Sequence, residues 1–368
     1  MAKKRADGYY KKTFTVDGKR YYIYGKNPKD LFEKEIAKRN EIEQRLEQRN
    51  NPTFSQYYER WMDARRGTIK ENTIRGQLGV YSVISSVYIP SASRTFGELK
   101  IKEITIDDLR VVSSDLLKSR KTRTVNDYMA HVNHCMRDAL KERVIDYNPC
   151  ILLKNLKDTD EAARDTCHRA LSLEEQKAFF ECERCKSSYY YNVLRFAICT
   201  GMRSGEIGAL RYSDIRQGMI HVERTITRTE SGSHVIGENA KTKAGRRVIP
   251  VTPQIESILE DQSKLNADMD GRLVTMNELV FRAYERGLLT ATNIDRDIRR
   301  ICKVCKVTPF SMHALRATFA TRAIESGMNP KTLQEILGHS NFNITMSLYG
   351  HCLENTKQKE MAGVVIDL

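Results

Sequence analysis

The spacing of hydrophobic and polar positions changes several times along the chain, and each change predicts an element. Residues 8–26, GYYKKTFTVDGKRYYIYGK, interleave aromatic and basic side chains on both sides of Asp17-Gly18. That arrangement predicts two strands joined by a tight hairpin turn. The charged segment 28–48 predicts a helix. From Thr53 to Tyr147 the period is helical. Val125, Met129, Val132, Met136 and Leu140 recur at three- and four-residue spacing and draw one apolar stripe. In "ITIDDL", Thr105 is placed to cap a helix, with Asp108 three residues on. Asn148-Pro149 closes this run, because the residue before a proline avoids the helical region. Residues 151–168 carry Asp158, Asp160, Glu161 and Asp165 among lysines and arginines and read as a linker. Helical patterning resumes at "SLEEQKAFF", where Ser172 and Glu175 form a capping box, and continues to about residue 216. Two β-type runs, "GMIHVERTITR" and "RRVIPVT", then flank a polar loop that holds Lys241 and Lys243. Helices are predicted again from Pro253 to the C-terminus.

The chain therefore divides into a small sheet-plus-helix module, 1–50, and an all-α domain, 53–150. After the linker, 151–168, come a mainly α domain with a small antiparallel sheet, 169–354, and a tail, 355–368. With 368 residues there is enough chain for several separate cores. No apolar run reaches membrane-spanning length, and "MAKKRADGYYKK" lacks the apolar centre of a secretory signal. A cytoplasmic, non-membrane protein is expected. The formal charge of +14 arises from 61 Lys+Arg against 47 Asp+Glu and favours a polyanionic partner. The excess is concentrated at the start: residues 1–30 hold nine Lys/Arg against three Asp. A basic, aromatic two-stranded ribbon can enter a DNA major groove, and Lys11, Lys12, Lys19, Arg20 and Tyr22 are its candidate contacts. The competing reading is a solvated hairpin whose tyrosines pack on the following helix. Nine cysteines in such a chain suggest free thiols. The pairs Cys182/Cys185 and Cys302/Cys305 lie in helical patterns, where they read as small apolar residues rather than as a zinc site.

Candidate chemistry lies in the last third of the chain. "TGMRSGEIGALRYSDI" sets Arg203 between two glycines just before a helical run, with Glu206 one turn away to hold it. "SMHALRATFATR" puts His313 and Arg316 at i and i+3, so both are expected to project from one helix face. "NPKTLQEILGHS" has Asn329 as cap, Pro330 at the first helical position and Gly338 as the stop, so His339 stands just past a helix end. Ten residues later comes Tyr349. No carboxylate cluster that would hold Mg²⁺ between phosphates is present, and no nucleotide-binding glycine loop. Cationic groups with a tyrosine suggest metal-free phosphoryl transfer, with arginines neutralising charge while tyrosine attacks phosphorus. A phenol with a pKa near 10 needs help to lose its proton.

The order Arg203, Lys241, His313-x-x-Arg316, Leu337-Gly338-His339 and Tyr349 resembles the tyrosine recombinase (phage integrase) superfamily. It is most similar to integrases of conjugative transposons and Gram-positive temperate phages. The resemblance covers essentially the whole chain. It implies an arm-type DNA-binding module at 1–50, a helical core-binding (SAM-like) domain at 53–150 and the tyrosine recombinase catalytic fold at 169–354. It implies Tyr349 as nucleophile, with Arg203, Arg316, His313 and His339 around the scissile phosphate. Lys241 becomes the general acid, with Lys243 as the alternative, and Glu206 a supporting residue. The tail, 355–368, would contact a neighbouring protomer. No metal or other cofactor is implied. The partners implied are double-stranded DNA at core and arm sites, a homotetramer on paired DNA, and an excisionase or host DNA-bending factor. The setting would be the bacterial cytoplasm, on the nucleoid when DNA is bound.

Overall fold

In the computed structural model of the protein, the aromatic-basic hairpin closes on Asp17 and Gly18, both with left-handed backbone (φ +50° and +72°). That is the geometry in which a two-residue turn matches the twist of its strands. The structure describes residues 3–4, 8–157, 169–238, 246–285 and 287–352, without the side chains of 3–4, 44–49, 238 and 349–352. Two compact units divide at Thr159/Asp160, and each is considered by itself.

The first unit begins with an antiparallel sheet of β1 (Lys3–Lys4), β2 (Tyr10–Val16) and β3 (Lys19–Gly25), in that order. Helix α1 (Pro28–Asn50) covers one face. Because strand side chains alternate, Phe14 and Ile23 point to the helix, where they form a small core with Leu31 and Ile42. The other face is set by the cross-strand pairs Lys11–Tyr24, Thr13–Tyr22 and Thr15–Arg20. Lys11 Nζ lies 4.5 Å from the centre of the Tyr22 ring, and Tyr22 is 53% exposed. Lys12, grouped with these residues on sequence, belongs to the opposite face, since one residue of offset reverses the side. Its ammonium pairs at 2.5 Å with Glu35 of α1, whose side chain is 7% exposed. Lys19 opposes Val16 at the end of the hairpin, also out of phase with the open face.

A second core follows. Thr53 and Gln56 form a capping box at the start of α2 (Phe54–Arg65), which supplies Phe54, Tyr57, Tyr58, Trp61 and Met62 to the interior. Around it stand α3 (Glu71–Ser85), α4 (Ile106–Leu117) and α5 (Thr122–Lys141). Thr105 caps α4 reciprocally with Asp108, as its sequence predicts. The stripe on α5 buries Val125, Met129, Val132 and Met136, while Leu140 packs at the margin. Phe54 and Phe96 rings meet at 4.8 Å, and Trp61 Nε1 donates to Asp138 at 3.0 Å. One segment departs from the all-helical expectation. Tyr88–Ile89 (β4) and Arg94–Thr95 (β5) form a short hairpin turned by Ser93 in left-handed backbone.

The second unit carries α6 (Leu173–Glu181), α7 (Glu183–Lys186), α8 (Tyr191–Thr200) and α9 (Ser204–Gly208). The strands are β6 (Ile215–Arg216), β7 (Met219–Val222), β8 (Arg224–Arg228), β9 (His234–Glu238) and β10 (Arg247–Pro250). Then come α10 (Pro253–Asp270), α11 (Ala291–Cys305), α12 (Met312–Glu325), α13 (Pro330–Leu337) and α14 (Phe342–Cys352). Strands β10, β7 and β6 make one antiparallel sheet, and β8 with β9 a separate ribbon. The sequence places residues 234–238 in a polar loop, but they pair with β8 from Arg228–His234 to Arg224–Glu238. The helices expected after Pro253 are separated by a long irregular stretch between α10 and α11. There, buried Asn266 donates to the carbonyl of Val280 and to the Tyr212 hydroxyl, both at 2.9 Å, and supports an irregular segment.

Phe196, Ile207, Ile220, Ile249, Ile258, Ile298 and Leu315 belong to the main core of this unit, and all four paired cysteines pack into or against it. Among the described residues no group of three or more His, Cys, Asp or Glu is arranged to hold a metal ion. A smaller cluster of Ala320, Ala323, Ile324, Leu333 and Leu337 fastens α13 to α12, with Leu348 of α14 against it.

The only tryptophan, Trp61, reports on the core around α2. Phe54→Ala should lower the stability read by Trp61 fluorescence in urea by about 3–5 kcal/mol, because the aromatic cluster cannot close over the lost ring. An unchanged midpoint would show that this core tolerates the cavity.

Candidate active site

The site is built on the C-terminal end of α13. The last carbonyls of a helix have no partner within it and carry the negative end of its dipole. Here three arginines donate to three consecutive ones. Arg247 Nε reaches the carbonyl of Ile336 at 2.5 Å, Arg316 Nη2 that of Leu337 at 2.7 Å, and Arg203 Nη2 that of Gly338 at 3.1 Å. They come from β10, from α12 and from the turn between α8 and α9. Arg316 also donates through Nη1 to the carbonyl of Gly201 at 2.7 Å, so it spans the ends of α8 and α13. Gly201 has φ +62°, and a Cβ there would lie 2.4 Å from Phe319 Cδ1, so only glycine fits.

One buried carboxylate holds two of the three arginines. Glu206 is 2% exposed. It accepts from the Arg203 backbone N–H (2.9 Å), Arg203 Nη1 (2.9 Å), Arg247 Nη1 (3.0 Å) and Arg247 Nη2 (2.7 Å). Burial by itself raises a carboxyl's pKa, but the bonds and charge of Arg247, with those of Arg203, prevail and hold Glu206 at about 2. It is therefore a permanent anion at neutral pH. The Arg203 side chain remains 42% exposed, whereas that of Arg247 is 5% exposed. Arg316 is 5% exposed, and its burial beside Arg203 lowers its pKa to about 9, which leaves it charged at neutral pH.

His339 follows Gly338 directly. Its Nδ1 lies 3.0 Å from the Thr345 hydroxyl, and its carbonyl accepts from Gln334 Nε2 at 3.0 Å. Burial, then Arg316, Arg203, Arg247 and His313, lower its pKa to about 4, so the imidazole is neutral at neutral pH. His313 stands exposed on α12, one turn before Arg316. The helix separates this pair by exposure: Arg316 points inward to the carbonyls and His313 outward. Tyr349 lies on α14, one helical turn after Thr345, and its side chain is outside the described residues. Lys241 and Lys243, between β9 and β10, are outside the described residues as well.

The structure thus gathers Arg203, Glu206, Arg316 and His339, and adds two residues that the sequence reading passed over. Thr345 orients His339. Arg247 completes the arginine group, and strand alternation could have revealed it: Arg247 shares a face with Ile249, which is 3% exposed, so a cation stands on the core side of a strand.

The sequence model of the phage integrase family matches residues 171–356, a stretch that contains every one of these groups. The chain belongs to the phage integrase family. Its catalytic unit has the tyrosine recombinase fold, and the family's enzymes cleave and rejoin DNA strands. The ICEBs1 integrase of Bacillus subtilis (strain 168) is 25% identical over 272 residues, 73% of this chain and 72% of the relative. Among solved structures, the Tn1549 transposon integrase in complex with a circular intermediate DNA superposes with a TM-score of 0.68 at 22% identity. It covers 84% of this chain and 98% of that one. A lambda integrase tetramer bound to a Holliday junction has a TM-score of 0.61 at 18% identity, covering 94% and 93%.

The burial of His339 and the charge around it set a titration that can be observed. Its folded value, about 4, lies below the ordinary 6.5, so the unfolded chain takes up the proton first. The contribution to stability therefore falls as pH drops from 6.5 towards 4 and is constant above that window. In the DNA-free integrase the His339 ring resonances should titrate with a midpoint near 4 by NMR. A midpoint near 6.5 would show that neither the burial of the ring nor the three guanidiniums act on it in solution.

Proposed function

We propose that this integrase inserts and excises a mobile DNA element by site-specific strand exchange through a 3′-phosphotyrosyl intermediate and a Holliday junction, with Tyr349 as nucleophile. The observation that carries this reading is the convergence of Arg203, Arg247 and Arg316 on one helix end, beside His339 and one short helix from Tyr349. Three guanidiniums against the single carboxylate of Glu206 leave a net local charge of +2. A phosphodiester under attack passes from one negative charge to two at its pentacoordinate stage, and such a prearranged field stabilises the charge that develops.

In this mechanism the Tyr349 oxygen attacks the scissile phosphorus, and the bond to the 5′-oxygen of the next nucleotide breaks. The phosphotyrosyl ester retains the free energy of the broken bond, so rejoining needs no nucleotide hydrolysis. Arg203 and Arg316 bind the non-bridging oxygens. His313 and neutral His339 hydrogen-bond the phosphate or take part in moving the tyrosine proton, and Lys241 or Lys243 protonates the departing 5′-oxygen. Attack by a 5′-hydroxyl of the partner strand reverses these steps and completes exchange.

The remaining assignments extend from the same reading. Residues 1–50 bind arm sites through the open sheet face, residues 53–150 bind core sites, and 151–168 link them to the catalytic domain, 169–354. Four protomers act on two paired DNA sites, and the tail, 355–368, reaches a neighbour. An excisionase or a host DNA-bending protein biases direction. The enzyme works in the bacterial cytoplasm, on the nucleoid.

A suicide substrate bearing the element's attachment site tests the chemistry. In EDTA the protein should form a covalent DNA adduct that Tyr349→Phe abolishes, and Arg203→Lys or Arg316→Lys should slow its formation by about 10²–10³-fold. An adduct that survives Tyr349→Phe, or one that requires Mg²⁺, would refute the proposal.

The N-terminal module gives a separate test. Replacing Lys11 or Arg20 by Ala should weaken arm-site binding and lower its salt slope by about 1 per residue. Tyr22→Ala should weaken the same binding through lost contact area. Lys12→Ala should act on the module's stability instead, through the ion pair with Glu35. An effect of Lys12→Ala on the salt slope equal to that of Lys11→Ala would contradict the division of faces.

A further inference from the structure

We propose that Arg247 is a positioning residue for strand cleavage: it fixes Arg203 and the turn carrying His339 through Glu206 and the end of α13, without itself touching DNA. The inference rests on the recombinase reading above and adds to it a residue outside the six expected catalytic groups and Glu206.

The geometry is a three-point clamp. The two terminal nitrogens of Arg247 fork onto both oxygens of Glu206, at 3.0 Å and 2.7 Å. Each oxygen is shared with one donor from Arg203: Oε1 with the guanidinium and Oε2 with the backbone N–H, both at 2.9 Å. The third point is Arg247 Nε on the carbonyl of Ile336, next in line to the carbonyls that receive Arg316 and Arg203. Arg247 thus ties the start of α9 to the end of α13, the two places from which Arg203 and His339 project. Arg316 donates only to backbone carbonyls, whereas all three nitrogens of Arg247 are engaged and its fork is taken up by a buried carboxylate, so Arg247 is placed to support and not to bind a phosphate. It is also the first residue of β10, six positions after Lys241, the proposed general acid. Lysine cannot replace the clamp, because an ammonium is a single point charge without a planar fork.

The charges facing Glu206 are Arg203 from the α8–α9 turn, Arg247 from β10 and Arg316 from α12, with His339 and His313 adjoining the same arginines. With Arg247 in place Glu206 is ionised at every working pH. When the fork is removed, burial is opposed mainly by Arg203, and the carboxyl titrates higher. Protonated Glu206 releases Arg203, so cleavage should then fail as pH falls. A residue that merely supported the fold would not introduce that acid limb.

The decisive experiment is single-turnover cleavage of a suicide substrate by full-length Arg247→Lys protein, with DNA affinity, thermal midpoint and pH profile measured together. We expect a folded protein with near wild-type affinity for core-site DNA. Adduct formation should slow about 100-fold, and a new acid limb should appear above any seen in the wild type. A wild-type cleavage rate overturns the proposal, as does a loss in rate matched by an equal loss in DNA affinity with an unchanged pH profile. Should the lysine variant fail to fold, the charge-neutral pair Glu206→Gln with Arg247→Met replaces it. Slow cleavage with DNA binding retained then supports the proposal, and wild-type cleavage overturns it. The parallel Tyr349→Phe reaction keeps the two questions apart. A wild-type protein that forms no adduct, or an adduct that survives Tyr349→Phe, defeats the recombinase reading itself, whatever Arg247 does.

Discussion

The structure of the candidate site depends on satisfying one helix end with cations. The carbonyls of residues 336, 337 and 338 close α13, and each accepts from a different arginine. Like charges repel, so three guanidiniums assemble only where something opposes them. Here the opposition comes from the helix dipole and from Glu206, an anion held in the interior by bonds from two of the three. The arrangement leaves positive charge in excess, directed to the place where His339 emerges. The three guanidiniums are thus already held in place, and prearranged charge of this kind needs no rearrangement when an anion approaches.

The cores serve this arrangement. Leu333 and Leu337 of α13 are fully buried against Ala320, Ala323 and Ile324 of α12, which sets the helix end beside Arg316. Ile249 fixes β10 in the main core, and strand alternation then carries Arg247 to the same side. Ile207 anchors α9, so Glu206 and Arg203 follow. Each functional side chain is adjacent in sequence, or one turn away, to an apolar residue that packs. The polar group is held because its neighbours have no alternative place.

His339 shows how such a field changes a familiar group. A histidine is usually a proton carrier near neutrality, but burial and three nearby guanidiniums lower this one to about 4. The ring works as a neutral hydrogen-bonding group, oriented by Thr345 from the helix that also carries Tyr349. One short connection, from Gly338 to the start of α14 at Phe342, therefore links the arginine-capped turn to the helix of Thr345 and Tyr349.

Much of this was legible in the sequence where the physics is local. The hairpin at Asp17-Gly18, the caps at Thr105, Ser172 and Asn329, the stop at Gly338 and the apolar stripe of α5 all follow from turn chemistry and periodicity within a few residues. The resemblance to the tyrosine recombinases, carried by the order of separate motifs, grouped Arg203, Lys241, His313, Arg316, His339 and Tyr349 as one candidate set, with Glu206 in support. Decisions that required distant partners stayed hidden. The pairing of β9 with β8 depends on a partner strand, and the break after α10 on the reach of Asn266. The placement of Lys12 depends on the buried carboxylate of Glu35, found only when α1 folds back on the sheet. Arg247 reads as an ordinary strand cation until α9 and α13 close around it. The sequence by itself determined which elements form and which residue types can do the chemistry, because propensity and spacing act over a turn or two. The tertiary structure decided which charges meet, because burial and the sharing of one carboxylate between two arginines exist only after separate segments pack together.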